Sequence, residues 1–242
     1  GVQTCALPIL GKINGKEYIV KTIVTTETIK TIAERNGVEM YDVYTGFKWI
    51  ANVMRENEGK KNYIGGGEES YGFLCEDFVR DKDAVSACVI LAEIAAWAKD
   101  QGLSLYQLLQ KIYVEYGFSK EKGISVVKKG KSGAEEIEAM MKKFRENPLT
   151  EIAGSKVTYF YDYSTLKGKD YAENETVTLD MPTTSNVLQY FTEDNTKVSI
   201  RPSGTEPKIK FYCEVHSKVK SIDELPEAEK AAEEKINQIK AS

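Results

Sequence analysis

Short β-branched runs alternate with helical periodicities through the first half of this chain, and that alternation restricts its fold more than any other feature. KEYIVKTIVTT reads as a strand rich in Val, Ile, Thr and Tyr, with Gly15 just ahead of it. TETIKTIAERNG follows as a short helix carrying Ile29, Ile32 and Ala33 on one face and stopping at Gly37. VEMYDVYTGFKWIANVMREN supplies a brief strand, a turn at Thr45 and Gly46, and a helix with Phe47, Ile50 and Met54 inward. KNYIGGGEESYGFL is a strand running into a glycine-rich loop. DKDAVSACVILAEIAAWAKDQG is a long helix whose expected apolar stripe is Val85, Cys88, Val89, Ala92 and Ala96. The expectation is an α/β domain built on a βα-type mixed sheet.

SLYQLLQKIYVEYG opens on Ser104 with Gln107 three positions on, a capping-box spelling, and carries Leu105, Leu108, Leu109 and Ile112 at helical spacing. The texture then changes, and a domain boundary is expected near Gly117, with one domain over 10–117 and another over 118–242. Ser132 and Glu135 repeat the capping spelling ahead of a stripe of Ile137, Met140, Met141 and Phe144. Strand-like pieces follow, SKVTYFYDY, SNVLQYFTED, TKVSI and KIKFYCEVHS, before a charged terminal helix. Strands flanked by two helices imply a small α+β domain with an antiparallel sheet.

Composition narrows the function. A formal charge of −4 offers no general basic face for nucleic acid. No apolar run has the length of a membrane span, and no charged start with an apolar core marks a secretory signal. Cys5, Cys75, Cys88 and Cys213 lack paired spacing and read as free thiols in a reducing compartment, the cytoplasm. His216, the one histidine, alternates outward on its strand and is expected to be exposed; zinc sites and Ser-His-Asp triads are poorly supplied. The opening GVQTCALPI matches the in-frame translation of a common sequencing-adapter string. Residues 1–9 are therefore expected to be an assembly scar fused to an interrupted gene; a genuine N-terminal strand is the alternative.

Three stretches could carry chemistry. RPSGTEP sits between two strands, and Arg201, Ser203, Gly204 and Thr205 offer a guanidinium fork, two hydroxyls and bare N–H groups suited to a phosphate monoester. An exposed hairpin is the plainer alternative. GGGEES is no P-loop, since the lysine and hydroxyl of that motif are missing. Its carboxylates repel phosphate but accept hydrogen bonds from sugar hydroxyls, so Glu68 and Ser70 are candidate sugar readers, against a solvated surface loop. VRDKD places Arg80 and Lys82 at a helix start, where a cation is locally unfavourable and hints at an anionic ligand, against a solvated lysine; TGFKWI raises Thr45 and Lys48 in the same weak way.

In combination and in order, TGFKWI, GGGEESYGF, VRDKD and RPSGTEPKIKFY resemble the α-D-phosphohexomutases, closest to the phosphoglucomutase and phosphopentomutase branch. The resemblance runs from about Lys16 to the C-terminus and covers most of the family's third domain and all of its fourth. It implies that Glu68 and Ser70 bind sugar hydroxyls and that Arg201, Ser203, Gly204 and Thr205 hold the phosphate not being transferred. Lys82 and Thr45 would line the cleft. It also implies reversible phosphoryl transfer between an enzyme phosphoserine and a hexose phosphate, through glucose 1,6-bisphosphate and with Mg2+. Neither the family's T-A-S-H-N-P loop nor its D-x-D-x-D-R metal loop occurs in this sequence. The resemblance therefore assigns nucleophile and metal to missing N-terminal domains of the same polypeptide, and the chain alone is expected to lack mutase activity. Specificity for mannose or pentose phosphates, or a non-catalytic sugar-phosphate-binding module, are the alternatives.

Overall fold

A computed structural model describes residues 13–128, 130–204 and 206–241, so residues 1–9 and Thr205 lie outside the described residues. The chain divides into two compact units, the first ending at Gly117 and the second starting at Phe118.

The first unit runs β1 (Glu17–Thr22), α1 (Thr28–Arg35), β2 (Glu39–Val43), α2 (Phe47–Asn57), β3 (Asn62–Gly67), β4 (Phe73–Cys75), α3 (Ala84–Asp100) and α4 (Leu105–Tyr116). Its four-stranded sheet has the order β2-β1-β3-β4. β1 is parallel to β2 and to β3, and β4 returns antiparallel to β3. β1 is buried along its whole length, as a central parallel strand should be. Successive side chains on a strand point to opposite faces. Tyr18 and Val20 accordingly join Val43, Phe47, Ile50, Met54, Tyr63 and Leu74 in one cluster beneath α2. Ile19 joins Ala33, Val38 and Ile64 in another, beneath α1. Each fully buried aliphatic in these clusters contributes about 1.5–3 kcal/mol of transfer free energy.

Two expectations fail here. The glycine run is not a loop: Gly65, Gly66 and Gly67 belong to β3 and pair with Cys75, Leu74 and Phe73. A Cβ on Gly66 would stand 2.4 Å from the Val20 carbonyl oxygen and 2.6 Å from the Tyr63 hydroxyl, so glycine is required by close approach within the sheet. The stripe expected on α3 is also misphased. Val85 and Val89 are exposed, as are Cys88, Ala92 and Ala96, while Ala87, Ile90 and Ile94 turn toward the sheet and Ala98 is buried. A helix apolar on every side gives periodicity nothing to phase against. On α4 the capping box forms in full between Ser104 and Gln107, with Leu108 buried.

The second unit contains β5 (Phe118–Val127), α5 (Gly130–Glu146), β6 (Glu151–Ile152), β7 (Ser155–Asp162), β8 (Lys167–Asp170), β9 (Glu175–Thr178), β10 (Leu188–Thr192), β11 (Thr196–Pro202), β12 (Lys208–Ser217) and α6 (Leu225–Ala241). Its eight-stranded sheet has the order β5-β12-β11-β10-β7-β8-β9, with β6 on β7, and every pairing is antiparallel. Leu188, Tyr190, Val198, Ile200 and Ile209 are buried on one face. There the Tyr190 hydroxyl donates to the Phe144 carbonyl of α5, and Phe144 meets Phe211 edge-on. The opposite face carries a buried polar network. Tyr163 Oη donates to Gln189 Oε1 at 2.6 Å, and Gln189 Nε2 donates to Ser199 Oγ at 2.7 Å. Ser119 Oγ donates to Glu214 at 3.0 Å, and Lys197 pairs with the same carboxylate. The sequence reading misses β5 as a strand. Ser132, expected to cap α5, lies inside that helix, which starts at Gly130. His216 is half-buried rather than exposed, and its Nδ1 has no hydrogen-bond partner.

Candidate functional site

In the first unit the candidate residues gather at the carboxyl ends of the parallel strands, where ligands of open α/β sheets characteristically bind. Thr45 and Gly46 follow β2, and Gly46 takes a φ of 111° at the N-cap of α2. Its amide donates to Glu68 Oε1 at 2.6 Å, so the turn after β2 holds the carboxylate that follows β3. The Glu68 amide in turn donates to the Gly72 carbonyl at 2.7 Å, closing the turn toward β4. A Cβ on Gly72 would lie 2.7 Å from Glu68 Oε2 and 3.4 Å from Lys82 Cδ. Glycine there lets Glu68 and Lys82 lie side by side. Thr45, Glu68 and Lys82 are thus brought together. Ser70 is not: it sits exposed at the tip of the turn.

Lys82 is placed differently from its reading at a helix start. α3 begins after it, at Ala84, and Asp83 is the N-cap, accepting from the Ser86 amide at 2.7 Å. That hydrogen bond holds the Asp83 carboxyl below its ordinary pKa. Lys82 Nζ pairs with Asp81 at 3.1 Å and stands 5.9 Å from the Phe47 ring centroid. The local bias against a cation is therefore met by Asp81 and Asp83.

Sequence reasoning misses Lys21, the charged centre beside this turn. Its side chain is fully buried and bridges Asp42 at 2.7 Å and Glu27 at 3.0 Å. Burial alone would lower its pKa, but the two carboxylates outweigh that and hold it above the ordinary lysine value. Its neighbour Thr22 donates from Oγ1 to Glu69 at 3.1 Å. The available signal is a lysine inside YIVKT, an otherwise apolar central strand.

In the second unit Arg201 lies near the end of β11, and Ser203 and Gly204 begin the turn to β12. The turn is fixed by the Ser203 amide donating to the Lys208 carbonyl at 2.7 Å and by a Lys208–Glu206 pair at 2.8 Å. That pair holds the Glu206 carboxyl below its ordinary pKa. Arg201 stands opposite Lys210 in the β11–β12 register. Lys210 is a cation that motif reading passes over and that counting residues around the hairpin would have found. A cavity of about 780 Å³ adjoins the turn on the α5 side, lined by Ser203, Gly204, Ile137 and Met141 together with the acids Glu138 and Glu206. Among the described residues no group of three His, Cys, Asp or Glu could hold a metal ion, and no helix is long and apolar enough to cross a membrane.

The model for phosphoglucomutase/phosphomannomutase, alpha/beta/alpha domain III, matches residues 4–116, and that for phosphoglucomutase/phosphomannomutase, C-terminal domain, matches residues 125–232. A phosphoglucomutase of Staphylococcus haemolyticus is 36% identical over 198 residues, 82% of this chain and 36% of that protein. One from Staphylococcus aureus is 40% identical over 194 residues, 80% of this chain and 35% of that protein. The chain spans about a third of the length of these curated relatives. Among solved structures, parafusin, a phosphoglucomutase from Paramecium, aligns with a TM-score of 0.56 at 19% identity, over 84% of this chain and 33% of that one. A phosphoglucomutase/phosphomannomutase family protein from Burkholderia thailandensis aligns at 0.54 and 18%, over 96% of this chain and 41% of that one. At such identities these two likenesses speak to the fold alone.

Proposed function

The chain belongs to the phosphoglucomutase/phosphomannomutase family and carries its domains III and IV; from that premise we propose that it supplies the sugar-reading and phosphate-gripping surfaces of a hexose-phosphate mutase. Glu68 accepts from hydroxyls of the sugar ring, with Thr45 and Lys82 beside it; Ser70, which the turn leaves exposed at its tip, is assigned a second hydroxyl contact. Arg201, Ser203, Gly204 and Thr205 hold the phosphate that is not transferred, and Lys210 adds a second cation. In the complete protein this grip would serve transfer of a phosphoryl group between a serine and either end of glucose phosphate, with glucose 1,6-bisphosphate between the two half-reactions. We assign the transfer chemistry and a Mg2+ ion to the remaining domains of the family enzyme, as membership of its domains III and IV implies. We place the protein in the cytoplasm, with its phosphorylated substrates.

One observation carries this reading: Glu68 is held by the Gly46 amide at 2.6 Å through Oε1, which leaves Oε2 toward Gly72 and Lys82 at the carboxyl end of the sheet. A carboxylate fixed in this way accepts hydroxyl hydrogen bonds without reordering. Isothermal titration of the 242-residue chain with glucose 1-phosphate, glucose and inorganic phosphate tests it. Glucose 1-phosphate should bind more tightly than either part alone, while a coupled assay for glucose 6-phosphate stays silent. Equal affinity for glucose 1-phosphate and inorganic phosphate would remove the sugar-reading role.

A further inference from the structure

Four cations from two separate segments converge on one groove of the first unit. Lys48 and Arg55 project from α2, and Arg80 and Lys82 from the segment ahead of α3, around a cavity of about 610 Å³. That volume suits a small phosphorylated molecule. Asp81 is the acid in the described lining, and its Oδ1 is already taken by the amide and Nζ of Lys82. Arg80 pairs at 2.7 Å with Glu58, which lies outside the lining. Within the lining four cations stand against one carboxylate, while Glu58 and Asp77 beside Arg80 and Glu68 beside Lys82 offset part of that charge from outside it. The chain as a whole is acidic, with 37 Asp and Glu against 33 Lys and Arg, so this local excess runs against its composition.

We propose that this groove is a phosphate-binding subsite of the first unit, which takes the phosphate of a sugar phosphate beside the Glu68 turn. The inference rests on the sugar-phosphate reading above and extends it to Lys48, Arg55 and Arg80. Three features select phosphate. Its oxygens can accept from donors on two segments at once. Guanidinium forks match its geometry. Gly46 and Lys82, which adjoin Glu68, also line the groove, so one ligand can span both.

Amide spectra of the 15N-labelled 242-residue chain, titrated at constant ionic strength with inorganic phosphate, glucose 1-phosphate and glucose, test the assignment. Phosphate and glucose 1-phosphate should shift Lys48, Arg55 and Arg80 saturably, and glucose, read at the Glu68 turn, should leave these three unmoved. The double variant Arg55→Gln/Arg80→Gln should weaken that response by about five- to tenfold; Lys48→Gln serves if the double variant loses spectral dispersion. Silence at these amides while Ser203 and Gly204 respond would overturn the subsite and leave the Arg201 turn standing. The converse pattern would support the subsite and count against the Arg201 turn. A response equal for sulfate and phosphate and undiminished in the variants would mark an adventitious ion only, and would also overturn it.

Discussion

Arg201 and Lys210 are direct partners across the β11–β12 pair, two like charges set opposite one another. Such a pair opposes its own hairpin by about 0.2–1 kcal/mol unless an anion lies between the cations. Lys210→Ala should therefore raise the melting temperature slightly in phosphate-free buffer while weakening phosphate binding about threefold to tenfold. Arg201→Ala, which removes a bidentate donor, should weaken binding by roughly 10–100-fold. Calorimetry and thermal melts on the same samples check both signs. Loss of stability together with unchanged phosphate affinity would make the pair purely structural.

Glu68→Gln keeps the shape of the side chain and removes its charge. The Gly46 hydrogen bond then loses its charge assistance, and the neutral amide accepts sugar hydroxyls less strongly. Affinity for glucose 1-phosphate should fall about tenfold, with inorganic phosphate shifting Ser203 and Gly204 as before. An equal fall for both ligands would count against sugar reading at this turn.

Lys21→Ala leaves Asp42 and Glu27 without their common partner. Both carboxylates are partly exposed and can recover water, so the cost should be about 1–3 kcal/mol rather than the larger penalty of a fully stranded charge. Urea unfolding measures it. Lys21→Met, which fills the same space, should cost less than Lys21→Ala.

A methyl group at position 66 meets the Val20 carbonyl as well as the Tyr63 hydroxyl, so a side-chain shift alone does not relieve it. Gly66→Ala should force β3 away from β1 and cost about 2–3 kcal/mol or more. Denaturation reads the cost, and lost protection of the Val20 and Gly67 amides to hydrogen exchange shows where it falls.

Burial pushes the Cys213 thiol up to about 11, above its value in an unfolded chain. Between pH about 8.5 and 11 the unfolded state has therefore released a proton that the folded state keeps, and stability falls as pH rises through that window. Cys213→Ala should make this decline shallower than in the parent. Alkylation of the native chain at pH 8, mapped by mass spectrometry, should label Cys88, which is exposed, ahead of the buried Cys75 and Cys213.

Much of this architecture is legible in the sequence because its signals are local. β1, α1 and α2 are marked by β-branched runs, apolar spacing and Gly37 and Gly46 at the breaks. What escapes is decided by distant contacts. FSKEKGISVV looks like a polar connection, yet it is the edge strand β5, where alternating charge is tolerated because only one side is paired. α3 is too uniformly apolar to reveal its inward face. Glu68 and Arg201 are legible as chemistry, whereas the Gly46 amide, Lys21 and Lys210 become visible only once strand order and register bring them alongside.

The glycine run of β3 also changes how this region can be probed. Residues 65–67 present main chain where neighbouring strands present side chains, so alanine scanning at Gly66 and Gly67 reports steric collision instead of lost recognition. Replacing single amides by esters, or following those amide resonances directly, would isolate what the peptide groups themselves contribute.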